Sequence, residues 1–204
     1  MFKQAVAVVS LLAFTVQAGE LYIRTGAGSD ELDTSDLKAT TSLATLEGAL
    51  AFESSVAYEA AIGKKINSNV FAEIVVGQHQ FDGNYVADAN DDVELEYLNV
   101  GLVIGYEFAA IQGVSPYVSL GAGYLFAELD ELNDTTVYED NAFYGSYAAG
   151  LTYALGENVN IYAQYQAMMA QELKDEATIS TIDLEFELDL EASSQIMVGI
   201  QASF

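Results

Sequence analysis

The last stretch of the chain, from Ile182 to Phe204, alternates between apolar and polar positions. Nearly every even-numbered residue in it is apolar, whereas the odd-numbered residues are polar or small apart from Met197. A period of two is typical of an extended strand that has one apolar face and one polar face. The pattern therefore predicts a β-strand that separates two different environments.

The residues on the two faces favour a membrane over a soluble sandwich. Phe204 lies in phase with the apolar face. Neutral Gln195 and Gln201 lie on the polar face, where a packed core or open solvent would each favour other residues. A strand that faces lipid on one side and a lumen on the other is the unit of a transmembrane β-barrel.

Seven earlier segments show related alternation and predict further strands. The predicted strands are 21–28, 50–63, 70–81, 95–108, 117–129, 143–155, 159–170 and the closing 182–204. Turn-sized connections alternate with long acidic loops, which are predicted at 30–47, 82–92, 130–141 and 171–181. Short periplasmic turns and long extracellular loops are typical of outer-membrane barrels. The predicted fold is an all-β, eight-stranded antiparallel up-and-down transmembrane barrel with both termini periplasmic.

A soluble lipocalin-like barrel, which packs its apolar face inward around a ligand, is the alternative fold. Aromatic residues recur near the predicted strand ends, as an interfacial girdle requires, and this favours the membrane barrel. The predicted girdle residues are Tyr106, Phe108, Tyr117, Phe126, Phe143, Tyr153 and Phe204.

The N-terminus has the pattern of a secretory signal peptide. Lys3 precedes an apolar run from Ala5 to Val16, and Val16-Gln17-Ala18 offers the small or apolar residues that a signal peptidase requires. We expect a signal peptide at 1–18 and a single barrel domain at 19–204. The apolar run is too short to cross a bilayer as a helix.

The charge of the chain limits its partners. The net charge is −25, which argues against nucleic acid because phosphate binding needs clustered Lys and Arg. The chain contains no Cys, so no disulfide scaffold is expected. Residues 88–94 carry alternating oxygen ligands, but Val93 replaces the glycine and Asn99 the terminal glutamate of a calcium loop. Loose binding of divalent cations by the acidic loops stays open, and no cofactor or specific metal site is expected.

Two motifs carry a family resemblance. The segment Ser115-Pro-Tyr-Val-Ser-Leu-Gly-Ala-Gly-Tyr124 resembles the fifth strand of small eight-stranded barrels of the OmpA/OmpX-like superfamily. The ending Val198-Gly-Ile-Gln-Ala-Ser-Phe204 resembles their C-terminal assembly signal, carried by Val198, Ile200 and Phe204. The resemblance implies insertion by the barrel-assembly machinery and contact with outer-membrane lipid and lipopolysaccharide. We expect a monomer.

The main charges inside the predicted strands must face the lumen. A charged side chain that faces lipid at mid-bilayer costs about 2–4 kcal/mol, so Arg24, Glu59 and Glu73 are predicted to point inward. We expect them to form one cluster that plugs a narrow lumen; a gated ion path through the same groups is the alternative. Inward glycines would make room for Tyr22, Phe71 and Tyr144; they are Gly63, Gly101, Gly105, Gly121, Gly123 and Gly199.

His79, the single histidine, is interpreted as a polar residue at the rim of the barrel. Some eight-stranded barrels modify lipid A with a histidine, a serine and an acid. Gln78 and Gln80 flank His79, and no triad spacing is recognisable, so an enzyme is the least favoured function.

The closing strand continues beyond the bilayer. About 9–11 residues cross the membrane, which brings the chain near Ser194, yet the alternation continues to Ile182. We expect pairing there with the seventh strand and with the first loop. The apolar positions Ile182, Leu184, Phe186, Leu188 and Leu190 would form a ridge for surface interaction, unless lipopolysaccharide or loops cover it. The predicted role is structural or adhesive and without catalysis, and a small-solute channel is the alternative.

Overall fold

The structure is a computed structural model that describes residues 21–32, 35–41, 45–85, 88–131, 135–171, 173–179, 182–189 and 192–204. Its strands are β1 (Leu21–Leu32), β2 (Ser35–Thr41), β3 (Thr45–Phe52), β4 (Ser55–Lys65), β5 (Val70–Tyr85), β6 (Asp88–Glu107), β7 (Val114–Glu131), β8 (Thr135–Ala154), β9 (Val159–Ala170), β10 (Leu173–Ile179), β11 (Ile182–Asp189) and β12 (Ser193–Ser203). No helix in these ranges is long and apolar enough to cross a membrane. The signal peptide predicted at residues 1–18 lies outside the described residues.

Eight of these strands close into a barrel. The order around the wall is β1, β4, β5, β6, β7, β8, β9, β12, and the β5–β6 and β1–β12 ladders complete the ring. Every ladder is antiparallel, including the one that joins the first and last strands from Tyr22–Ser203 to Leu32–Ser193. The predicted eight-stranded antiparallel barrel is confirmed.

Tight turns connect β4 to β5, β6 to β7 and β8 to β9 at the end of the barrel that also holds Leu21 and Phe204. In the first turn the Asn67 side chain accepts hydrogen bonds from the backbone N–H groups of Asn69 and Val70, at 2.9 and 2.8 Å. In the second turn Gln112 and Gly113 adopt φ values of 54° and 84°, in the region that favours glycine. These three short connections match the prediction.

The long connections contain far more strand than predicted. Strands β6, β7 and β8 have 20, 18 and 20 residues, about twice the 9–11 needed to cross a bilayer. The predicted loops at 82–92 and 130–141 are therefore wrong over most of their length, since the ladders continue through Asn84–Asp92 and Glu128–Glu139. Acidic side chains indicate contact with water, but adjacent strands keep their backbone hydrogen bonds there.

The predicted loops at 30–47 and 171–181 also form strands. The hairpin β2–β3 and the hairpin β10–β11 join through a β2–β11 ladder, and β3 continues the sheet onto β5. We call this continuation of the wall, formed by β2, β3, β10 and β11 with the distal ends of β5 to β8, the extension. The closing segment is two strands, β11 and β12, instead of one. β11 pairs with β2 of the first connection, as expected, but its other partner is β10 and not the seventh predicted strand, which is β9.

A row of opposite charges crosses the extension. Lys174 lies opposite Glu187, Glu187 opposite Lys38, and Lys38 opposite Glu47 across four consecutive strands. Opposite charges directly across an antiparallel ladder favour that pairing, and like charges disfavour it. The same ladders also place Glu176 opposite Glu185 and Asp36 opposite Asp189, so the charge pattern alone does not fix the register.

The outer surface of the barrel is apolar, as a lipid-facing wall requires. Leu102, Leu120 and Ile196 are each more than 60% exposed, at 66%, 65% and 64%. Of the predicted girdle, all members but one are exposed: Tyr106, Phe108, Phe126, Phe143, Tyr153 and Phe204. The prediction for Tyr117 is wrong, because its position in β7 has the same parity as the buried Leu125, and the ring points into the lumen.

Candidate functional site within the barrel

The lower part of the lumen, nearer Leu21 and Phe204, holds a cluster centred on Arg24. Its Nη2 lies 2.8 Å from Glu59 Oε1 and 3.0 Å from Glu73 Oε2, and all three residues are buried. Its Nη1 donates to Gln164 Oε1 at 2.9 Å and to the Tyr117 hydroxyl at 3.4 Å. The structure thus brings together the three charged residues that the sequence placed in the lumen.

Strand register explains why these long side chains fit. Glu59 lies directly across from Gly26 on β1, and Glu73 lies directly across from Gly63 on β4. Each carboxylate therefore has a neighbour without a side chain. A methyl group added at Gly63 would overlap the ring of Tyr22, whose hydroxyl donates to Glu73 Oε1 at 2.8 Å.

Four of the six predicted glycines make room for the predicted rings, namely Gly63, Gly101, Gly105 and Gly123, whereas Gly199 faces Tyr162 and Gly121 faces Ser146 and Val103. A methyl group at Gly105 would overlap Phe71, and one at Gly101 would overlap the hydroxyl of Tyr144. Phe71 packs edge-on against Tyr117, with ring centroids 6.0 Å apart. Glycines on the lumen face thus let rings lie across a narrow interior.

A second polar network, formed by His79, Asp30, Asn99 and Tyr97, lies further from Leu21 and Phe204 and was not predicted. His79 is buried: its Nδ1 lies 2.5 Å from Asp30 Oδ2, and its Nε2 lies 3.0 Å from Asn99 Oδ1. The Tyr97 hydroxyl donates to Asp30 Oδ2 at 3.0 Å, and the Tyr97 ring stacks on His79 with centroids 4.3 Å apart. The interpretation of His79 as a rim residue is wrong.

Parity along the strands could have identified this network. His79 lies an even number of residues from Glu73 on β5, and Asp30 lies an even number from Arg24 on β1. Residues so spaced point to the same side of a strand. Because Glu73 and Arg24 must face the lumen, His79 and Asp30 must face it too. The sequence prediction missed both because it ended β1 at Gly28 and took His79 for the outer end of β5. The ladders in fact continue past both residues, to Leu32 and Tyr85.

An apolar core fills the interior above this network. Leu50, Phe81, Leu95 and Leu125 have no exposed surface and belong to one cluster of buried side chains. Leu173 on β10 belongs to the same cluster and is also fully buried. The extension therefore encloses a hydrophobic core of its own, which we call the cap.

The positions of the predicted ridge fall on β11, apart from Leu190, which lies outside the described residues. Leu188 is register-paired with Leu173 of β10 on one side and with Leu37 of β2 on the other. Residues directly opposite each other in a ladder share a face of the sheet. Because β11 has a partner strand on both sides, its edges are not open to strand addition by another chain.

The predicted assembly-signal residues lie on the outer face at the last strand. Val198, Ile200 and Phe204 are 61%, 53% and 64% exposed. The backbone N–H of Phe204 donates to the carbonyl of Leu21 at 2.9 Å, so the start of β1 is joined to the C-terminal residue beside the closing ladder.

Comparison with known families agrees with this geometry. A family model described as outer membrane protein beta-barrel domain matches residues 4–194. The chain belongs to the outer membrane protein β-barrel domain family. This outer-membrane barrel is accordingly a multi-pass protein of the Gram-negative outer membrane, as the alternation predicted.

Solved structures of other outer-membrane barrels share the fold. OprG from Pseudomonas aeruginosa is 15% identical, with a TM-score of 0.65 over 92% of this chain and 97% of that one. Neisserial surface protein A is 18% identical, with a TM-score of 0.57 over 93% and 100%. AlkL in lipid bilayers is 13% identical, with a TM-score of 0.57 over 94% and 94%. At these identities the likeness concerns the fold alone. No curated protein sequence matches the chain significantly.

Proposed function

We propose that this outer-membrane barrel is a sealed, non-catalytic structural protein that presents the extension for contacts at the cell surface. The observation that carries the proposal is the pair of side-chain bridges across the lumen. Arg24 on β1 bonds to Tyr117 on β7, which is four places away around a ring of eight strands. Tyr97 on β6 reaches Ser193 on β12, also four places away, at 3.5 Å. Each bridge therefore spans the full diameter.

The size of the barrel and the cap support a sealed interior. Eight strands leave an interior just wide enough for side chains to fill. An ion that crossed this lumen would have to displace Arg24 from two carboxylates and then pass the apolar cap, where charge is strongly disfavoured. A small-solute channel is the alternative function, and it requires both barriers to open.

The histidine geometry supports a role without catalysis. In a hydrolytic triad one ring nitrogen of the histidine faces an acid and the other faces the nucleophile. His79 faces Asp30, but its second nitrogen faces the Asn99 amide, whereas the Ser193 hydroxyl contacts Tyr97. The network also lies between the cap and the Arg24 cluster, away from a substrate in either leaflet.

Solute uptake tests the proposed seal. Proteoliposomes that contain the refolded protein should swell no faster in isosmotic arabinose than protein-free liposomes do. A general porin reconstituted in parallel serves as the positive control. Swelling that scales with the amount of the barrel protein would favour the channel instead.

The extension offers a test of the surface role. We expect replacement of Leu184, Phe186 and Leu188 by Ser to leave the barrel inserted, to expose the extension to protease and to reduce attachment of expressing cells. The reason is that Leu188 shares a register row with Leu173 of the cap, so these positions are proposed to hold the extension together. The matched control replaces Asp183, Glu185 and Glu187 by the corresponding amides and should keep protease resistance. Unchanged attachment and unchanged proteolysis in the Ser variant would contradict the surface role.

The C-terminal residues are proposed to guide insertion, with both termini in the periplasm. Phe204→Ser should reduce the amount of folded, heat-modifiable protein in the outer membrane sharply, because it removes the aromatic residue that ends the lipid-facing row. Phe143→Ser, which alters another exposed aromatic residue away from the C-terminus, is the control and should have a smaller effect. Wild-type levels of folded Phe204→Ser protein would exclude a role in assembly.

A further inference from the structure

Four buried side-chain oxygen atoms among the described residues have no hydrogen-bond partner, on Asp30, Glu73, Tyr162 and Gln195. Glu73 Oε2 is paired with Arg24, and the oxygens of Asp30 and Gln195 lie on facing strands. Asp30 is fully buried, and its Oδ1 has no partner among the described residues, whereas its Oδ2 contacts both His79 and Tyr97. Gln195 is 5% exposed, and its Oε1 likewise has no partner within the described part of the chain. Leaving a buried acceptor unpaired costs free energy, so such an atom calls for an explanation, and a bound water or ion is one.

The two oxygen atoms belong to neighbouring residues. Asp30 on β1 lies directly across from Gln195 on β12, and both side chains are on the lumen face. Directly opposed residues of an antiparallel pair have Cβ atoms about 4.5–5.5 Å apart. Ser193, one inward position along β12, adds a hydroxyl near Tyr97. One small guest can therefore contact oxygen atoms from both strands.

The charges in the lumen indicate that this guest is positive. The buried charged groups among the described residues are Arg24, Asp30, Glu59, Glu73 and His79. Even with His79 counted as an imidazolium, three carboxylates face two cations. A buried net negative charge is unfavourable unless a bound cation or a proton on a carboxylate compensates it. A water molecule could donate hydrogen bonds to the two oxygens but would leave the charge uncompensated.

We infer that the lumen binds one monovalent alkali cation between Asp30 and Gln195. The site supplies one carboxylate oxygen and one amide oxygen, with the Ser193 hydroxyl beside them. A divalent ion such as Ca²⁺ commonly takes several carboxylates, whereas this position supplies one. The cation lies between the cap and the Arg24 cluster, where it joins β1 to β12 beside the closing ladder of the barrel. This inference concerns the same lumen as the proposed seal but not its conductance, so either can fail alone.

The stability of the refolded full chain in different salts tests the inference. Unfolding in detergent and urea is followed by circular dichroism at one ionic strength in sodium, potassium or N-methyl-D-glucamine chloride. The organic cation is too large for the site. A ligand that binds only the folded state stabilises it by mass action, so we expect the equilibrium constant for unfolding to be about tenfold smaller in about 0.1 M sodium or potassium chloride than in the organic salt. The effect should saturate with alkali-cation concentration.

Two substitutions localise the effect. Gln195→Met should abolish the difference between the alkali and organic salts, whereas Gln201→Met should retain it. Gln201 is a matched control because it is a buried glutamine on the same strand and lumen face, opposite Arg24. Asp30→Asn should also abolish the difference, but it disturbs His79 as well. The comparison of Gln195→Met with Gln201→Met is therefore the decisive test. Equal stability of the wild-type protein in all three salts would overturn the inference and favour a direct hydrogen bond between Gln195 and Asp30. A salt difference that persists in Gln195→Met would overturn it as well.

Discussion

Replacing Arg24 with alanine is expected to destabilise the refolded barrel by about 3–5 kcal/mol, because it leaves two buried carboxylates without their cation. The loss should appear as a lower urea midpoint for unfolding in detergent. Adding Glu59→Gln and Glu73→Gln to Arg24→Ala should restore part of the stability, since neutral amides are far less costly to bury than unpaired carboxylates.

A surface ion pair in the same barrel provides the control for Arg24. Lys65 Nζ lies 2.9 Å from Glu107 Oε2, but the Lys65 side chain is 38% exposed. Lys65→Ala should therefore cost at most about 1 kcal/mol. If the losses from Arg24→Ala and from the two glutamate substitutions were simply additive, Arg24 and the two glutamates would not interact, and their ion pairs would carry no coupling energy.

Replacing Gly63 with valine is expected to have the second large effect, a loss of roughly 1–3 kcal/mol or more. The new side chain would overlap the ring of Tyr22, which is buried and bonded through its hydroxyl to Glu73. To accommodate valine, the ring must leave its place or the two strands must move apart. Both routes weaken the Arg24 cluster, and the urea midpoint of unfolding measures the loss.

Gly145 on β8 is the matched control for Gly63. No atom lies within 4 Å of the position that a methyl group would take there. Gly145→Val should be neutral or mildly stabilising, since valine suits a strand. Equal destabilisation by the two valines would show that backbone freedom, and not the space for Tyr22, is what matters at Gly63.

The barrel itself was predictable because alternation reports directly on a two-sided wall. Each crossing strand has lipid on one side and a lumen on the other, so every second residue is constrained. The same constraint placed Arg24, Glu59 and Glu73 in the lumen, since their charge excludes the lipid face. A cluster of these residues needs only that neighbouring strands bring inward positions together, which the chain order already implied.

The extension was not predictable in the same way. Beyond the bilayer both faces of a strand can be polar, so an acidic segment such as 82–92 looks the same as a loop. This segment forms a strand because its backbone hydrogen bonds continue to the neighbouring strand. Such pairing depends on two segments of the chain and cannot be read from one. The apolar cap was hidden for a related reason. Leu50 and Ala57 are both buried although their parity differs, so the inward phase changes between β3 and β4, where Glu53 and Ser54 interrupt the strand.

The polar network of His79 and Asp30 shows how one wrong strand boundary can hide a site from sequence analysis. A first strand that ends at Gly28 places Asp30 in a loop. His79 then has no acidic partner in the predicted barrel, and a position at the rim follows. In the structure His79 contacts an acid on β1 and an amide on β6, so its surroundings come from strands distant in sequence. A lone histidine with no local motif gave no other signal.

Single-channel recording in planar bilayers tests the sealed lumen most directly. Insertion of the refolded wild-type protein should produce no stable conducting steps in concentrated KCl at moderate voltage, in either orientation. The two bridges across the barrel and the apolar cap should leave no continuous aqueous path. Recordings under the same conditions with a general porin establish that a conducting barrel would be seen. Reproducible, ohmic steps from the wild-type protein would contradict the account, because ions would then be passing the Arg24 cluster and the cap in the folded state.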